Sequence, residues 1–210
     1  CELRLGDNVL GETQRDIDVL AFDEWAGVSS LPEILAGFVT PNHPAIDRLM
    51  GDARKHLELA SAEAGGDGSL CGYQRRDPRH ARAIIDACYR AAGDLALGYI
   101  TSPASFEEQG QRVRLPDQIT ERKQGNCLDL SLLLCAMLEQ AGLHPLVVLT
   151  KGHAFVACWL HDASFPEPAV TEPLRAWGMG AMLPGGGGAD ISPMGPHCVP
   201  LFGMVTISHR

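Results

Sequence analysis

One cysteine and one histidine in the middle of the chain are of the types that act together in nucleophilic catalysis. Cys127 opens a long apolar run, and His153 opens a second apolar run further along the chain. A thiolate can attack a carbonyl carbon, while an imidazole removes the thiol proton and later protonates the leaving group. The pair predicts acyl-transfer chemistry if the fold brings the two side chains together.

A helix between Asn126 and Gly142 must carry the thiol. Asn126 is a suitable N-cap and Gly142 a suitable residue just beyond the helix end. The residues between them are apolar on nearly every face, which is typical of a helix buried on all sides. The helix dipole and the free N–H groups at its start favour a thiolate at Cys127 and can hold an oxyanion. We expect Asn126 and Gln124 to line this site.

Two strands must return the chain to the thiol. Residues 146–150 form a β-branched run, Lys151-Gly152 can turn, and residues 153–160 form an antiparallel partner. A helix of about 14 residues rises roughly 21 Å, and a strand of about 7 residues spans roughly 23 Å. The return strand therefore brings His153 back to the level of Cys127.

Several short motifs occur in order over residues 16–177. They are FVTPNHP at 38–44, GYQ at 72–74, PASFE at 103–107, GQRVRLP at 110–116, GNCLDL at 125–130, GL at 142–143, GHAFV at 152–156 and WL at 159–160. Together they resemble the transglutaminase-like region of large bacterial helicase-type proteins, in a fold related to the papain-like cysteine peptidases.

This resemblance implies an α+β fold, with a core helix carrying the cysteine packed on an antiparallel sheet carrying the histidine. Members of the wider fold are peptidases, amidases, acyl transferases or inactive scaffolds. The implied partners are a protein or peptide substrate and the other domains of a longer helicase-like chain. The resemblance leaves two functions open: a cysteine-dependent acyl-transfer domain and an inactive recognition or autoregulatory module.

The resemblance also implies a carboxylate that orients the imidazole, placed after the strand that follows the histidine strand. Asp162 does not fit, because an extended chain carries it roughly 30 Å from His153. The later region departs from the family pattern, with Pro184 and four glycines where a short apolar strand is expected. Asp190 is the nearest acid and is our assignment for the third catalytic residue.

Each of these residues also has a structural interpretation. Cys127 could be a buried structural thiol, and His153 a hairpin-end histidine bonded to backbone. Asp129 is expected to complement the helix dipole rather than to take part in catalysis. Gln111, Arg112 and Arg114 form either a polar wall near the site or, as we prefer, a solvated loop.

No metal or cofactor is predicted. His153, Cys158 and His161 are a poor ligand set, because alternation along a strand turns Cys158 to the other face. The seven cysteines contain no CxxC pair, which removes the usual structural zinc motif. Their odd number and irregular spacing indicate free thiols in a reducing cytoplasm.

Composition excludes some classes of function. The formal net charge is −9, which argues against direct nucleic-acid binding, and no apolar run is long enough to cross a membrane.

Because the first residue is cysteine, we expect a fragment of a longer chain. We divide it into a lead-in at 1–15, the transglutaminase-like domain at 16–177 and an irregular tail at 178–210. Outside the central stretch we predict a strand at 17–22, a short helix at 31–39 and helices at 44–64 and 77–97.

Overall fold

The structure is a computed structural model that describes residues 2–16, 19–28, 32–62, 68–102, 110–150, 152–170 and 198–200. These residues form an α+β protein. The α-helices are α1 (Pro44–Ala62), α2 (Pro78–Gly93), α3 (Pro116–Arg122) and α4 (Cys127–Gln140), and 3-10 helices span Pro32–Phe38 and Gly72–Arg75. The strands are β1 (Glu2–Leu5), β2 (Asn8–Glu12), β3 (Glu24–Trp25), β4 (Gly98–Tyr99), β5 (Gln111–Arg112), β6 (Gln124–Gly125), β7 (Pro145–Thr150), β8 (His153–Trp159) and β9 (Cys198–Pro200).

Helix α4 is the centre of the core. It packs against α1 and α2 on one side and against β7 and β8 on the other. Because apolar residues occupy nearly its whole circumference, Leu133, Met137 and Leu138 are all buried in the main hydrophobic cluster. The predicted start at Asn126 and end before Gly142 are both confirmed.

Helices α1 and α2 cover α4 with apolar faces of helical spacing. Ile46 and Leu57 of α1 and Ile84 and Cys88 of α2 are almost fully buried. The two predicted helices are confirmed, although α2 ends at Gly93, earlier than expected. The chain turns there, and Ala96 adopts a positive φ of 50°, which a helix cannot contain.

Strands β7, β8 and β9 form an antiparallel sheet in that order. Thr150 lies opposite His153, so a two-residue connection joins β7 to β8, as the sequence predicted. Gly152 has a φ of 77°, the left-handed conformation that such tight turns require. Strand β9 pairs with Ala157–Trp159 of β8, whereas the sequence indicated no element in the 178–210 tail. Three residues are too few to show a period, and β9 is held by pairing with β8 rather than by a pattern of its own.

The first 28 residues differ from the prediction. Strands β1 and β2 form an exposed hairpin within the expected lead-in. The strand predicted over 17–22 is wrong for its described part, because residues 19–22 form no strand and both Val19 and Phe22 are exposed. The nearby strand is β3, which is buried and pairs with β5. The helix predicted over 31–39 is present as a 3-10 helix.

Within the described ranges, no helix combines the length and apolar character needed to span a bilayer.

Candidate active site

Cys127 occupies the first position of α4, held there by a reciprocal cap. Oδ1 of Asn126 accepts a hydrogen bond from the backbone N–H of Asp129 at 2.9 Å, and Oδ2 of Asp129 accepts one from the N–H of Asn126 at 3.0 Å. The amide nitrogen of Asn126 donates to Oγ of Ser102. Both oxygen and nitrogen of this side chain therefore fix the helix start. The Cys127 side chain is half-buried.

A buried ion pair stabilises the same turn. Asp129 is fully buried, and its Oδ2 lies 2.8 Å from Nη1 of Arg114. The backbone N–H of Arg114 donates to Oδ1 of Asp129 at 2.8 Å, and Nη2 of Arg114 donates to the carbonyl of Thr101 at 3.2 Å. Asp129 thus lies in the first turn, as predicted. The solvated loop expected for Arg114 is wrong, because Arg114 is buried to satisfy this carboxylate.

A second hydrophobic cluster connects Cys127 to the β7–β8 hairpin. Its buried members are Trp25, Leu35, Val113, Leu128, Leu132 and Ala154, and half-buried members packed on it include Cys127, Val147 and Leu149. Ala154 directly follows His153 in β8. The fold therefore places the thiol and the start of the histidine strand on one cluster, as the length argument required.

His153 itself lies at the surface. Its side chain is exposed, and its ring stacks on Phe155 with centroids 6.4 Å apart. In the part of the chain that the structure describes, neither the His153 ring nor the Cys127 sulfur has a hydrogen-bond partner. Because side chains alternate along a strand, the His153 ring lies with Phe155 on the face of β8 opposite Ala154 and the Cys127 cluster.

Asp190, the assigned third residue, lies outside the described residues. Strand β9 is the neighbour of β8, the strand that carries His153. The resemblance implies an acid after a strand in this neighbouring position. Between Pro200 and Arg210 the sequence contains no Asp or Glu.

The remaining predicted residues lie nearby. Gln124 is half-buried in β6, whose register places it opposite Gly98 of β4. Arg112 of β5 forms an ion pair with Asp23 at 2.8 Å. Among the described side chains, no group of three or more His, Cys, Asp and Glu residues could hold a metal ion.

Two buried hydrogen-bond donors, one of them on the hydrophobic cluster that Cys127 contacts, were not identified from the sequence. Trp25 and Gln111 lie opposite each other in the β3–β5 pair. Nε1 of Trp25 and Nε2 of Gln111 are buried and have no hydrogen-bond partner within the described ranges. Buried unpaired donors are uncommon in proteins and suggest a missing acceptor. No sequence signal identifies Trp25, because its strand has only two residues.

Comparisons with known proteins add no family assignment. No protein-family model matches the chain, and no curated protein or solved structure matches it either. The functional argument therefore depends on the geometry of the site.

Proposed function

We propose that the chain is a cysteine-dependent acyl-transfer domain of the transglutaminase-like fold, with Cys127 as nucleophile and His153 as base. The observation that carries the proposal is the position of Cys127. It is a half-buried thiol at the first position of a buried helix, and it shares an apolar cluster with Ala154, the residue after His153. A peptide or side-chain amide is the proposed substrate.

The covalent step begins with attack of the Cys127 thiolate on the carbonyl carbon, after His153 accepts the thiol proton. His153 then gives this proton to the leaving amine, which leaves an acyl group on the sulfur as a thioester. Water or a second amine then takes the acyl group. Water would make the domain a peptidase or amidase, and an amine would make it a transferase.

The oxyanion formed during attack needs donors that the protein already holds in place. The first N–H groups of α4 have no partner within the helix. We assign the N–H of Cys127, together with Nε1 of Trp25 and Nε2 of Gln111, to this role. This assignment gives the two unpaired donors an acceptor in the transition state.

The exposed position of His153 fits a base that closes onto the thiol when substrate binds. Catalytic hydrogen bonds are often long in the absence of substrate and tighten in the complex. Because His153 is exposed at the start of β8, directly after a two-residue turn, closure requires the ring to leave Phe155 and this end of the strand to turn towards Cys127.

The test compares alkylation of Cys127 by iodoacetamide in the parent chain and in H153Q across a range of pH. We expect parental Cys127 to react at a lower pH than a free thiol, and H153Q to move this profile upward. A tryptic map with mass spectrometry assigns the modified residue. H161Q is the matched control, because His161 is exposed just beyond β8 and is expected to leave the profile unchanged.

A second measurement tests the oxyanion donors. An activated phenyl ester should acylate Cys127, and W25F should slow acylation without slowing alkylation, which forms no oxyanion. The proposal fails if Cys127 alkylates like a free thiol and H153Q has no effect. It also fails if the ester does not acylate Cys127.

The second candidate is an inactive recognition or autoregulatory module of a longer helicase-like chain. The favouring observation is that the His153 ring has no carboxylate partner in the described part of the structure. In that case C127A would retain every function of the parent chain. In both candidates we propose a cytoplasmic protein whose partners are proteins rather than nucleic acids. A steep salt dependence of DNA binding would overturn the exclusion of nucleic acids.

A further inference from the structure

A cavity lies at the opposite end of α4 from Cys127. Its volume is about 620 Å³, and the C-terminal residues of α4 form one side of it. A helix of this length separates its two ends by roughly 20 Å, so the cavity does not belong to the Cys127 site. The lining residues that matter here are Cys71, Tyr73, Arg76, Gln140, His144 and Asp162.

Cys71 borders this cavity and is paired with a histidine. Its Sγ lies 3.3 Å from Nε2 of His80, in the first turn of α2. Both residues are half-buried, so the pair is held in place yet reachable. This is the direct thiol–imidazole contact that Cys127 and His153 lack. A proton can pass from sulfur to nitrogen without any movement of the chain.

A carboxylate lies at the start of the same helix. Asp77, the N-cap of α2, accepts hydrogen bonds from the backbone N–H and the side chain of Arg79, and these chiefly lower the pKa of its carboxyl group. A negative charge therefore lies three residues before His80 in the chain.

Arg76 supplies a positive charge to the cavity. Its side chain is exposed, and it has no ion-pair partner within the described ranges, whereas Arg79 is paired with Asp77. The one carboxylate among the cavity residues, Asp162, lies 3.6 Å from Nδ1 of His144. The arginine is therefore available to a ligand with a negative group.

We propose that Cys71 and His80 form a second thiol centre, which exchanges with a small disulfide whose carboxylate binds Arg76. The Cys71 thiolate attacks one sulfur of the disulfide, and a new S–S bond forms as the old one breaks. The departing thiolate takes the proton that His80 received from Cys71. The products are a mixed disulfide on Cys71 and one free small thiol, so the incoming disulfide is the oxidant.

Disulfide exchange fits the site better than acyl transfer. Exchange requires a thiolate, access to the sulfur and a proton for the leaving thiolate. An open polar cavity beside a thiol–imidazole pair meets these needs. Unpaired N–H donors of the kind found at Trp25 and Gln111 do not occur among the described residues that line this cavity.

The experiment measures mixed-disulfide formation on the full chain with two probes, oxidised glutathione, which is anionic, and cystamine, which is cationic. Peptide mapping assigns the adduct. We expect it on Cys71 with both probes, and we expect H80Q to slow both reactions about a hundredfold, at the lower end of general acid–base catalysis. R76Q should slow only the reaction with oxidised glutathione, by about two- to fivefold, as for an exposed charge interaction.

R82Q is the control for charge, because Arg82 is exposed on α2 and does not line the cavity. H80N repeats the histidine test if H80Q unfolds, and circular dichroism checks folding of each variant. The proposal is overturned if Cys71 forms no adduct, or if both histidine variants react as fast as the parent. It is also overturned if R76Q slows both probes equally or neither. The adduct on Cys71 does not depend on Cys127, so C127S should form the Cys71 adduct with both probes at the parental rate and lose only the adduct on residue 127.

Discussion

The two ends of α4 present a thiol in opposite ways. At the start of the helix, Asn126, Asp129 and Arg114 form a buried hydrogen-bonded network that fixes the position of Cys127. At the other end, the helix closes with backbone alone. The N–H of Leu143 donates to the carbonyl of Leu138 at 3.0 Å, and the N–H of Gly142 to that of Glu139 at 2.9 Å.

The difference separates two ways of preparing a cysteine for chemistry. The Cys127 end provides a rigid helix start and unpaired N–H donors, but His153 does not contact the thiol. The cavity end provides a direct contact between Cys71 and His80, but it has an open polar cavity in place of unpaired donors.

At the Cys127 end of α4, the rigidity of the helix start depends on the buried ion pair between Asp129 and Arg114. At the cavity end, the shape of the backbone depends on Gly72 and Gly142.

The largest expected effect tests the buried charge. D129N should lower the free energy of unfolding by about 3–5 kcal/mol, because it leaves Arg114 as an uncompensated buried cation. Urea denaturation followed by circular dichroism measures the loss. D86N is the matched control, since Asp86 pairs with Arg90 on the exposed face of α2 and should change stability little. A loss in D129N no greater than in D86N would contradict the role assigned to this ion pair.

The next effect tests the glycines at the cavity end. Gly72 has a φ of 54°, and a Cβ there would lie 2.8 Å from the carbonyl carbon of Gly142. Gly142 has a φ of 77°, but its Cβ would meet nothing nearer than 3.7 Å. G142A should therefore cost only the left-handed strain, about 1–2 kcal/mol, and G72A roughly 2–4 kcal/mol because backbone must also move.

Thermal denaturation of the two variants measures this difference. A second readout is the reaction of Cys71 with oxidised glutathione, which G72A should alter because Gly72 follows Cys71 in the chain. Equal stability of G72A and G142A would mean that the close approach of the backbone at Gly72 to the backbone at Gly142 does not affect the free energy of unfolding.

Sequence reasoning was most successful where one physical signal dominates. The continuous apolar run predicted α4 between Asn126 and Gly142, and the two apolar runs on either side of Lys151-Gly152 predicted the β7–β8 hairpin. These are local signals, because capping, turn conformation and burial are read from adjacent residues. They were enough to place Cys127 and the start of β8 on one cluster.

The parts that the sequence did not predict depend on contacts between distant segments. Arg114 looked like part of a solvated loop, because nothing near it in the chain indicates a buried carboxylate. Trp25 and Gln111 meet through a two-residue strand pair, which has no periodicity. The Cys71–His80 contact joins a 3-10 helix to α2 and depends on the turn between them. Short elements and long-range pairs of this kind need coordinates.

The smallest expected effect separates the half-buried thiols, Cys71 and Cys127, from two buried thiols of the core, Cys88 in α2 and Cys135 in α4. Burial raises the pKa of Cys88 from 9.0 to about 12, with a further contribution from Cys158, and burial also raises the pKa of Cys135. Both thiols stay protonated in the folded protein, whereas the unfolded chain releases their protons near pH 9. The two protonated thiols therefore contribute their full stability below pH 9, and this contribution is lost as the pH rises towards their pKa values in the folded protein.

Each buried thiol should lower the free energy of unfolding by up to roughly 1.4 kcal/mol per pH unit once the pH exceeds 9. Urea denaturation between pH 8 and about pH 10 measures this slope, and C88A should reduce the contribution of the two thiols by about half. Half-buried Cys71 and Cys127 should react with a thiol reagent in the native state at neutral pH, while Cys88 and Cys135 react only on unfolding. A native-state reaction at Cys135 as fast as that at Cys127 would remove the distinction, because the ends of the helix would then offer its thiols no more access than its middle.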